Sequence, residues 1–256
     1  MRLSAETLLV LLIVALFIQD SLLFLRPDEG VFVRGARNRW RAGFGTRSWR
    51  LSGKEPYLCN PFTPHAPVYR MRWQMTGSPK RTVNAVPAVD WLSTEEAVVP
   101  RRLLSVLVWI TWAELFVLIP LSLSGSLPVV APVEAAALLY LNIVLSISVT
   151  WVWRRPIGLP GKVFAKTAVE CLLCAPYAAN LVRRIGFARD MEGDFLAVAE
   201  RLLNGERLRS AQRECLARIN EQMELEVGDD EAASLRLKQL RISSANLTAK
   251  VGDESQ

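Results

Sequence analysis

Three long windows that are almost free of charge constrain the fold more than any other feature of this sequence. They cover residues 7–25, 103–123 and 133–153, and each contains a single charged residue. Each is about the length that a helix needs to cross a bilayer, roughly 20 apolar residues. A soluble domain spreads its apolar residues periodically and does not pool them. The sequence therefore predicts an α-helical integral membrane protein with three transmembrane helices.

The first window resembles a secretory signal peptide only in its apolar core, LLVLLIVALFI at residues 8–18. The residues before this core contain only Arg2 as a basic side chain, and Glu6 opposes it. No small-x-small cleavage pattern follows the core, so we expect an uncleaved anchor.

Arginine pairs flank the second and third windows, at residues 101–102 and 154–155, whereas the connecting loop 124–132 has no Lys or Arg. The positive-inside rule places both pairs in the cytoplasm. Residues 26–102 carry fourteen Lys and Arg against six Asp and Glu, so we expect this insert to be cytoplasmic as well. These positions predict an N-terminus outside and a C-terminus inside.

The insert is predicted to be small and β-rich. Residues 68–75, VYRMRWQM, alternate apolar and polar side chains as a half-buried strand does. Residues 31–33 and 49–51 are further strand candidates beside Gly-containing turns, and prolines prevent helix formation in much of the rest. The chain thus divides into six predicted segments: a membrane anchor (1–25), the β-rich basic insert (26–102), a transmembrane hairpin (103–153), an interfacial amphipathic segment (154–187), cytoplasmic amphipathic helices (188–242) and a disordered tail (243–256).

Residues 34–50, RGARNRWRAGFGTRSWR, contain six arginines and no acid. Basic residues interleaved with aromatic ones suit nucleic acid, but a basic cluster just after a span is typical of contact with anionic phospholipid headgroups. A simple topology signal is the third interpretation. We favour the last two over nucleic acid, and the residues concerned are Arg34, Arg37, Arg39, Arg41, Arg47 and Arg50.

Glu114 lies close to the centre of the second window, where an acidic side chain costs roughly 2.5–3.5 kcal/mol. It lies ten residues before the outer loop, and Asn142 lies ten residues after that loop. In an antiparallel hairpin the two are therefore expected at the same depth, within hydrogen-bonding reach. Three interpretations stay open: hydrogen-bonded glue between helices, contact with another subunit's span, and a proton- or ion-linked site. Asp20, near the end of the first window, is a weaker case, with Arg26, Arg101 or Arg102 as expected partners.

The segment 158–187 is apolar but interrupted by Glu170, Pro176 and Asn180. We expect a helix lying in the cytoplasmic interface, with basic side chains (Lys162, Lys166, Arg183, Arg184) at its ends. Its CxxC pair, Cys171 and Cys174, lacks the second pair that a tetrahedral zinc site needs, so packing is the favoured interpretation.

Residues 189–203 and 206–227 are predicted to form two amphipathic helices separated at Asn204-Gly205. In the second helix a regular apolar stripe is typical of core or of a partner-helix face, and we assign it to a partner: Leu208, Ala211, Cys215, Ile219 and Met223.

The sequence offers little catalytic chemistry. It has one histidine, His65, which could in principle form a thiolate–imidazole pair with Cys59 in the same loop. It has no P-loop, no dinucleotide fingerprint and no HExxH or GxSxG motif. We expect no metal and no cofactor.

The order of segments is similar in topology to the TolQ/ExbB class of proton-motive stator subunits, although no motif in 103–123 or 133–153 matches. We predict a non-enzymatic accessory or scaffold subunit of a bacterial inner-membrane complex, with other membrane subunits and anionic lipid as partners. The alternatives are an ion- or proton-coupled homo-oligomer using Glu114, and an enzyme acting on a lipid-linked substrate.

Overall fold

The computed structural model describes residues 4–35, 39–73, 98–124, 132–188 and 194–225. The chain forms two compact units, each assembled from three separate parts of the sequence. The helical unit contains residues 1–23, 58–68 and 94–189, and the sheet unit contains residues 24–57, 69–93 and 190–256. The predicted segments follow the sequence in order, whereas these units combine distant parts of it.

The helical unit contains seven of the described α-helices and one π-helical turn. Ser4 caps the first helix, because its hydroxyl oxygen accepts the Thr7 N–H at 3.2 Å. In chain order the elements are α1 (Ala5–Ser21), α2 (Val98–Ala113), the π turn (Glu114–Leu118), α3 (Ile119–Leu123), α4 (Pro132–Trp153), α5 (Gly161–Leu173), α6 (Ala175–Ala178) and α7 (Leu181–Phe187).

Within the described residues, two helical stretches are long and apolar enough to cross a membrane, Arg102–Leu123 and Pro132–Trp153, each with 22 residues. The first predicted span is shorter than expected. Helix α1 has 17 residues and ends at Ser21, and the remaining residues of that window form strand β1 (Leu22–Leu25). This strand pairs with β4 (Glu55–Leu58) in a two-stranded sheet. The pairing of four extended residues has overridden the apolar helical pattern.

The core of the helical unit lies where α2 and α4 face each other. Val108 and Leu115 on one side and Leu139 and Ile143 on the other belong to one buried apolar cluster. Helix α1 joins this cluster through Phe17, whose ring meets the Phe116 ring edge-on at a centroid distance of 4.9 Å. The two candidate membrane-spanning helices are therefore a packed antiparallel hairpin with α1 against it.

The segment after the hairpin is not the single interfacial helix that the sequence predicted. Cys174 adopts an extended conformation, which ends α5 and leaves α6 and α7 as short separate helices. Much of this segment is buried in the core of the helical unit, including Ala178, Leu181 and Ile185. The interruptions in the apolar pattern mark these chain bends.

The sheet unit is built on a three-stranded sheet in the order β3–β2–β5, with β2 at Glu29–Arg34, β3 at Trp40–Gly43 and β5 at Val68–Arg72. Strands β2 and β3 are antiparallel, and Val31 pairs with Gly43. The predicted strand at residues 31–33 is confirmed, and that at 68–75 ends at Arg72 in the described residues. The strand predicted at 49–51 is wrong.

At residues 49–51 the chain makes only one isolated bridge, between Leu51 and Lys54. The two residues between them, Ser52 and Gly53, both have positive φ angles, of 51° and 74°. A chain that reverses over two such residues forms a tight turn. The turn begins too early for residues 49–51 to extend into a strand.

Two helices, α8 (Phe195–Leu202) and α9 (Glu206–Leu225), complete the sheet unit and confirm the two amphipathic helices predicted on either side of Asn204-Gly205. Phe195 stacks on Phe32 of β2 at a centroid distance of 4.6 Å. A Cβ atom at Gly30 would lie 2.5 Å from the Phe195 ring, so this close approach of helix and sheet requires glycine.

Candidate functional site

The structure brings together the two polar residues that the sequence singled out in the hairpin. The Asn142 side-chain amide donates to Glu114 Oε2 at 3.3 Å. The same nitrogen donates to Thr111 Oγ1 at 2.9 Å and to the Leu107 carbonyl at 3.1 Å. Asn142 is buried, at 7% exposed. The polar cluster of the hairpin therefore consists of Thr111, Glu114 and Asn142, and it joins the two helices at matching depth.

Sequence reasoning missed Thr111. Its hydroxyl donates to the Leu107 carbonyl at 3.0 Å, which orients the oxygen to accept the Asn142 amide. The signal was present, because residues three apart lie on the same helix face and Thr111 precedes Glu114 by three.

Glu114 begins the π turn, and Pro120 explains why the helix widens there. Proline has no N–H to donate, and its ring in an α-helix would clash with the carbonyl four residues earlier, that of Phe116. The Ile119 N–H instead donates to the carbonyl five residues earlier, that of Glu114, as in a π-helix. The widened turn fixes the position at which the Glu114 side chain leaves the helix.

The outer face of the same helical stretch is apolar and open. Val106, Ile110, Val117 and Leu121 are exposed large apolar residues at successive spacings of four, seven and four. Glu114 lies between Ile110 and Val117 in this series and is itself partly exposed. A carboxyl group near the middle of a membrane-spanning helix costs roughly 2.5–3.5 kcal/mol against lipid. Because of this cost, we expect protein or water, and not lipid, beside Glu114 on the open face.

Asp20 belongs to a second polar cluster, at the end of α1. Its Oδ1 lies 3.2 Å from Arg184 Nε, and Arg184 Nη2 lies 2.9 Å from Glu170 Oε2. The guanidinium also lies over the Tyr177 ring, 4.5 Å from its centroid. Arg184 of α7 takes the place expected for Arg26 or Arg102. The side chain of the third expected partner, Arg101, lies outside the described residues.

The neighbouring arginine, Arg183, is buried at 3% exposed rather than placed at an interfacial surface. Its Nη1 donates to Asn180 Oδ1 at 2.8 Å and to Ser21 Oγ at 3.2 Å, and its Nη2 donates to the Asn60 carbonyl. A buried guanidinium needs its donors satisfied. This network fixes the end of α1 to α7 and to the loop at residue 60.

Cys59 and His65 lie in the helical unit, in surroundings that differ from those of a nucleophile and its base. Burial raises the pKa of the Cys59 thiol to about 11, so the thiol is protonated near neutral pH. The His65 ring stacks on Trp109 at a centroid distance of 5.6 Å. Cys59 is thus a buried, protonated thiol, and His65 is in contact with an aromatic ring.

The CxxC residues also behave as packed side chains. Cys171 is fully buried in the core of the helical unit, and burial raises its pKa to about 12. Burial also raises the pKa of Cys174, which is partly exposed. Among the residues that the structure describes, no three His, Cys, Asp or Glu side chains are grouped to hold a metal.

Two of the six arginines assigned to lipid contact are engaged within the sheet unit. Arg47 Nη2 lies 2.7 Å from Glu214 Oε2, and Arg50 Nη2 lies 2.6 Å from Glu221 Oε1 and 3.0 Å from Glu55 Oε1. Desolvation favours a raised pKa for Glu214, but the hydrogen bonds from Arg47 and Arg218 outweigh it and the pKa is lowered. Carboxylates of this chain therefore take the place that lipid phosphate was predicted to occupy.

The other arginines of this stretch have different surroundings. Arg34 lies over the Trp40 ring at 5.4 Å from its centroid and is partly exposed. Arg39 and Arg41 are exposed. Arg37 lies outside the described residues. The lipid-contact hypothesis is thus retained for Arg34, Arg39 and Arg41.

Arg218 is the centre of the ion-pair network in the sheet unit, and the sequence analysis did not identify it. It is 2% exposed, donates from Nη1 to the fully buried Glu55, and donates from Nε to Glu214 at 2.9 Å. Its Nη2 donates to the Gly45 carbonyl at 2.5 Å. Its position three residues after Cys215 places it on the inner face of α9, which was the available signal.

The apolar stripe of α9 serves the sheet unit's own core instead of a partner helix. Ala211, Cys215 and Ile219 are buried against the sheet and α8, and Leu208 and Met223 pack on the edge of the same cluster. This placement corresponds to the core interpretation of the stripe.

A surface cleft of about 570 Å³ lies between β3 and the first half of α9. Its charged lining is mixed and contains two arginines and two glutamates, Arg41, Arg207, Glu206 and Glu214. Because Glu214 is already paired with Arg47, the cleft shows no clear preference for an anion or a cation.

Function has to be argued from these side chains. Comparisons with family models, with curated proteins and with solved structures found no match for this chain.

Proposed function

We propose that this chain is a non-enzymatic accessory or scaffold subunit of a bacterial inner-membrane protein complex. Its transmembrane hairpin packs against the span of a partner subunit, and the sheet unit docks partners in the cytoplasm. Helix α1 is the third span, the N-terminus is outside and the C-terminus is inside. Arg34, Arg39 and Arg41 contact anionic phospholipid.

The observation that supports this proposal is the partly exposed Glu114 in an otherwise apolar, open helix face. Asn142 satisfies one carboxylate oxygen from the side of α4, but the carboxyl group is not enclosed by the hairpin. A hydrogen-bonding group from another span would remove most of the cost of placing it in hydrocarbon. The Glu114 carboxyl group thus has a hydrogen-bond donor on the side of α4 and is open to a partner on its other side.

The test is extraction of the tagged full-length chain from its native membrane in a mild detergent, with quantitative mass spectrometry of the proteins that co-purify. We expect one or more membrane proteins in stoichiometric amount with the wild type and their loss from Glu114→Ala. Glu134→Ala is the matched control, because Glu134 is an exposed carboxylate in the first turn of α4. A chain that purifies alone, or equal recovery of partners from both variants, contradicts the proposal.

Topology has its own test. Reporter fusions after residues 124 and 225, one active only outside the inner membrane and one only inside, distinguish the predicted arrangement from its inverse. We expect the outside reporter to work at 124 and the inside reporter to work at 225. The opposite pattern contradicts the positive-inside assignment.

A second candidate is an ion- or proton-coupled homo-oligomer, which the mid-membrane position of Glu114 favours. The variant Glu114→Gln separates the two candidates, because an amide keeps hydrogen bonds but cannot titrate. Partner association that survives in Glu114→Gln supports the subunit role, whereas ion flux in proteoliposomes that disappears in Glu114→Gln supports the coupled role. The third candidate, an enzyme acting on a lipid-linked substrate, depends on Cys59 and His65, and unchanged function in a Cys59→Ala, His65→Ala variant removes it.

A further inference from the structure

A compact group of cations follows the second candidate span directly. Arg154 and Arg155 come immediately after α4, and Lys162 lies in the first turn of α5. Arg155 and Lys162 are exposed and Arg154 is partly exposed. Among the described residues none of the three forms an ion pair, in contrast to Arg47, Arg50 and Arg184. The first turn of α5 has no acidic side chain that would neutralise them.

The loop that carries these cations is held in one conformation. The Ile157 N–H donates to the Trp153 carbonyl at 3.0 Å, and the Leu159 N–H donates to the Arg154 carbonyl at 2.9 Å. Ile157 and Leu159 are buried in the core of the helical unit. Gly158 allows the turn between them, because its φ of 64° is one that other residues adopt at a cost.

The Arg154 guanidinium is also held in place. It lies over the Trp151 ring at 3.7 Å from the ring centroid, and Trp151 in turn packs on Phe164 of α5 at 5.2 Å. A Cβ atom at Gly161 would lie 3.3 Å from Arg154 Nη1, so the guanidinium sits directly against the start of α5. Fixing the side chain in advance lowers the entropy cost of binding.

Exposed apolar side chains lie beside this charge and along the helix that follows it. Trp151 and Val152 at the end of α4 are exposed, next to Arg154 in the sequence. Val169, Leu172 and Leu173, in the second half of α5, are exposed as well, with Leu173 at 81%. Exposed apolar side chains next to a basic cluster match the two parts of a phospholipid, the acyl chains and the anionic headgroup. The residues just after a membrane-crossing helix lie at headgroup depth.

We propose that Arg154, Arg155 and Lys162 form a binding site for the headgroup of an anionic phospholipid, with the exposed apolar residues of α4 and α5 against its acyl chains. This site is distinct from the arginines of residues 34–50, two of which are engaged in ion pairs with carboxylates. It requires α4 to cross the membrane, but it does not require a partner subunit.

The test is native mass spectrometry of the full-length chain in detergent, titrated with phosphatidylglycerol and in parallel with zwitterionic phosphatidylcholine. We expect phosphatidylglycerol to bind the wild type at least about tenfold more tightly, and the affinity to fall about fivefold for each basic side chain removed. The triple variant is Arg154→Gln, Arg155→Gln, Lys162→Gln.

A matched control removes three exposed arginines from the sheet unit, in the variant Arg201→Gln, Arg209→Gln, Arg213→Gln. It has the same net charge as the test variant, and we expect it to bind phosphatidylglycerol like the wild type. The single variant Arg155→Gln changes one exposed side chain, which keeps the test valid if the triple variant does not fold.

Undiminished binding by the triple variant, or by Arg155→Gln alone, overturns the proposal. An equal loss in the control also overturns it, because the effect would then come from net charge. Displacement of the lipid by soluble glycerol phosphate would assign the site to a soluble anion and overturn the lipid assignment. Loss of co-purifying protein partners leaves this proposal unaffected, since the lipid is added to the purified chain.

Discussion

Replacing Arg218 by alanine should loosen the sheet unit more than any other single change in α9. Arg218 is 2% exposed and Glu55 is fully buried, so the substitution leaves a buried carboxylate without its main partner. Breaking a buried ion pair costs about 3–5 kcal/mol. Arg50 remains 3.0 Å from Glu55 and keeps part of the compensation, which favours the lower end of that range.

Packing adds to this cost. The Arg218 guanidinium lies 5.3 Å from the centroid of the Phe44 ring, an interaction of about 1 kcal/mol. The expected loss is therefore roughly 3–4 kcal/mol in the free energy of local opening. Because 1.4 kcal/mol corresponds to a factor of ten, amide hydrogen exchange in α9 should accelerate by about 100-fold to 1,000-fold.

The assay is hydrogen exchange followed by mass spectrometry on the detergent-solubilised chain, reading peptides within residues 206–225. Arg213→Ala is the matched control, because Arg213 is on the same helix, is exposed and makes only a 3.6 Å pair with Glu206. We expect this control to change exchange by less than a factor of about three, as exposed ion pairs contribute little. Equal exchange in the two variants would refute the assignment of Arg218 as the centre of the network.

Three further predictions follow from the same interactions. Asn142→Leu removes the amide that joins the two spanning helices, so the melting temperature in detergent should fall, with a cost of about 0.6–2 kcal/mol; an unchanged melting temperature would show that the bonds contribute nothing. The lowered pKa of Glu214 means that its ion pairs stabilise the sheet unit above the ordinary glutamate pKa of about 4.3 and that this contribution is lost as pH falls through the lowered folded-state pKa; exchange in α9 should accelerate over that acidic window in the wild type and much less in Glu214→Gln. Burial and a pKa of about 11 should protect Cys59 from maleimide at neutral pH until the chain is denatured, whereas the partly exposed Cys174 should label first; equal labelling of both in the native chain would contradict the packing role.

The polar pair of the hairpin was predictable because its geometry is local. Glu114 and Asn142 are equally far from a short loop, and antiparallel helices place such residues at the same depth. Counting along the chain was therefore sufficient to join them. Thr111 was missed because a single threonine in an apolar run carries no charge to draw attention to it.

The surroundings of the arginines were not predictable because their partners are far away in the sequence. Arg47 pairs with Glu214 and Arg50 with Glu221, at separations of 167 and 171 residues. A stretch with six arginines and no acid indicates only that anions are nearby, and it does not distinguish phosphate from a distant carboxylate.

The same limit applies to residues 158–187. Ser21 and Asn180, which lie 159 residues apart, form one buried network with Arg183. The apolar pattern correctly indicated a helical segment with interruptions. It could not indicate that the segment would fold back on the end of α1, which turns Arg183 from an expected surface residue into a buried one.

The most direct test of the central claim is site-specific photo-crosslinking in the native membrane at the face that contains Glu114. A photoreactive residue is placed at Ile110 or at Val117, both exposed on that face, and at Leu141 on the exposed surface of α4 as the control. We expect a crosslinked membrane protein from positions 110 and 117 and lipid adducts alone from position 141. Lipid adducts alone from all three positions would contradict it, because Glu114 would then face the bilayer without a partner.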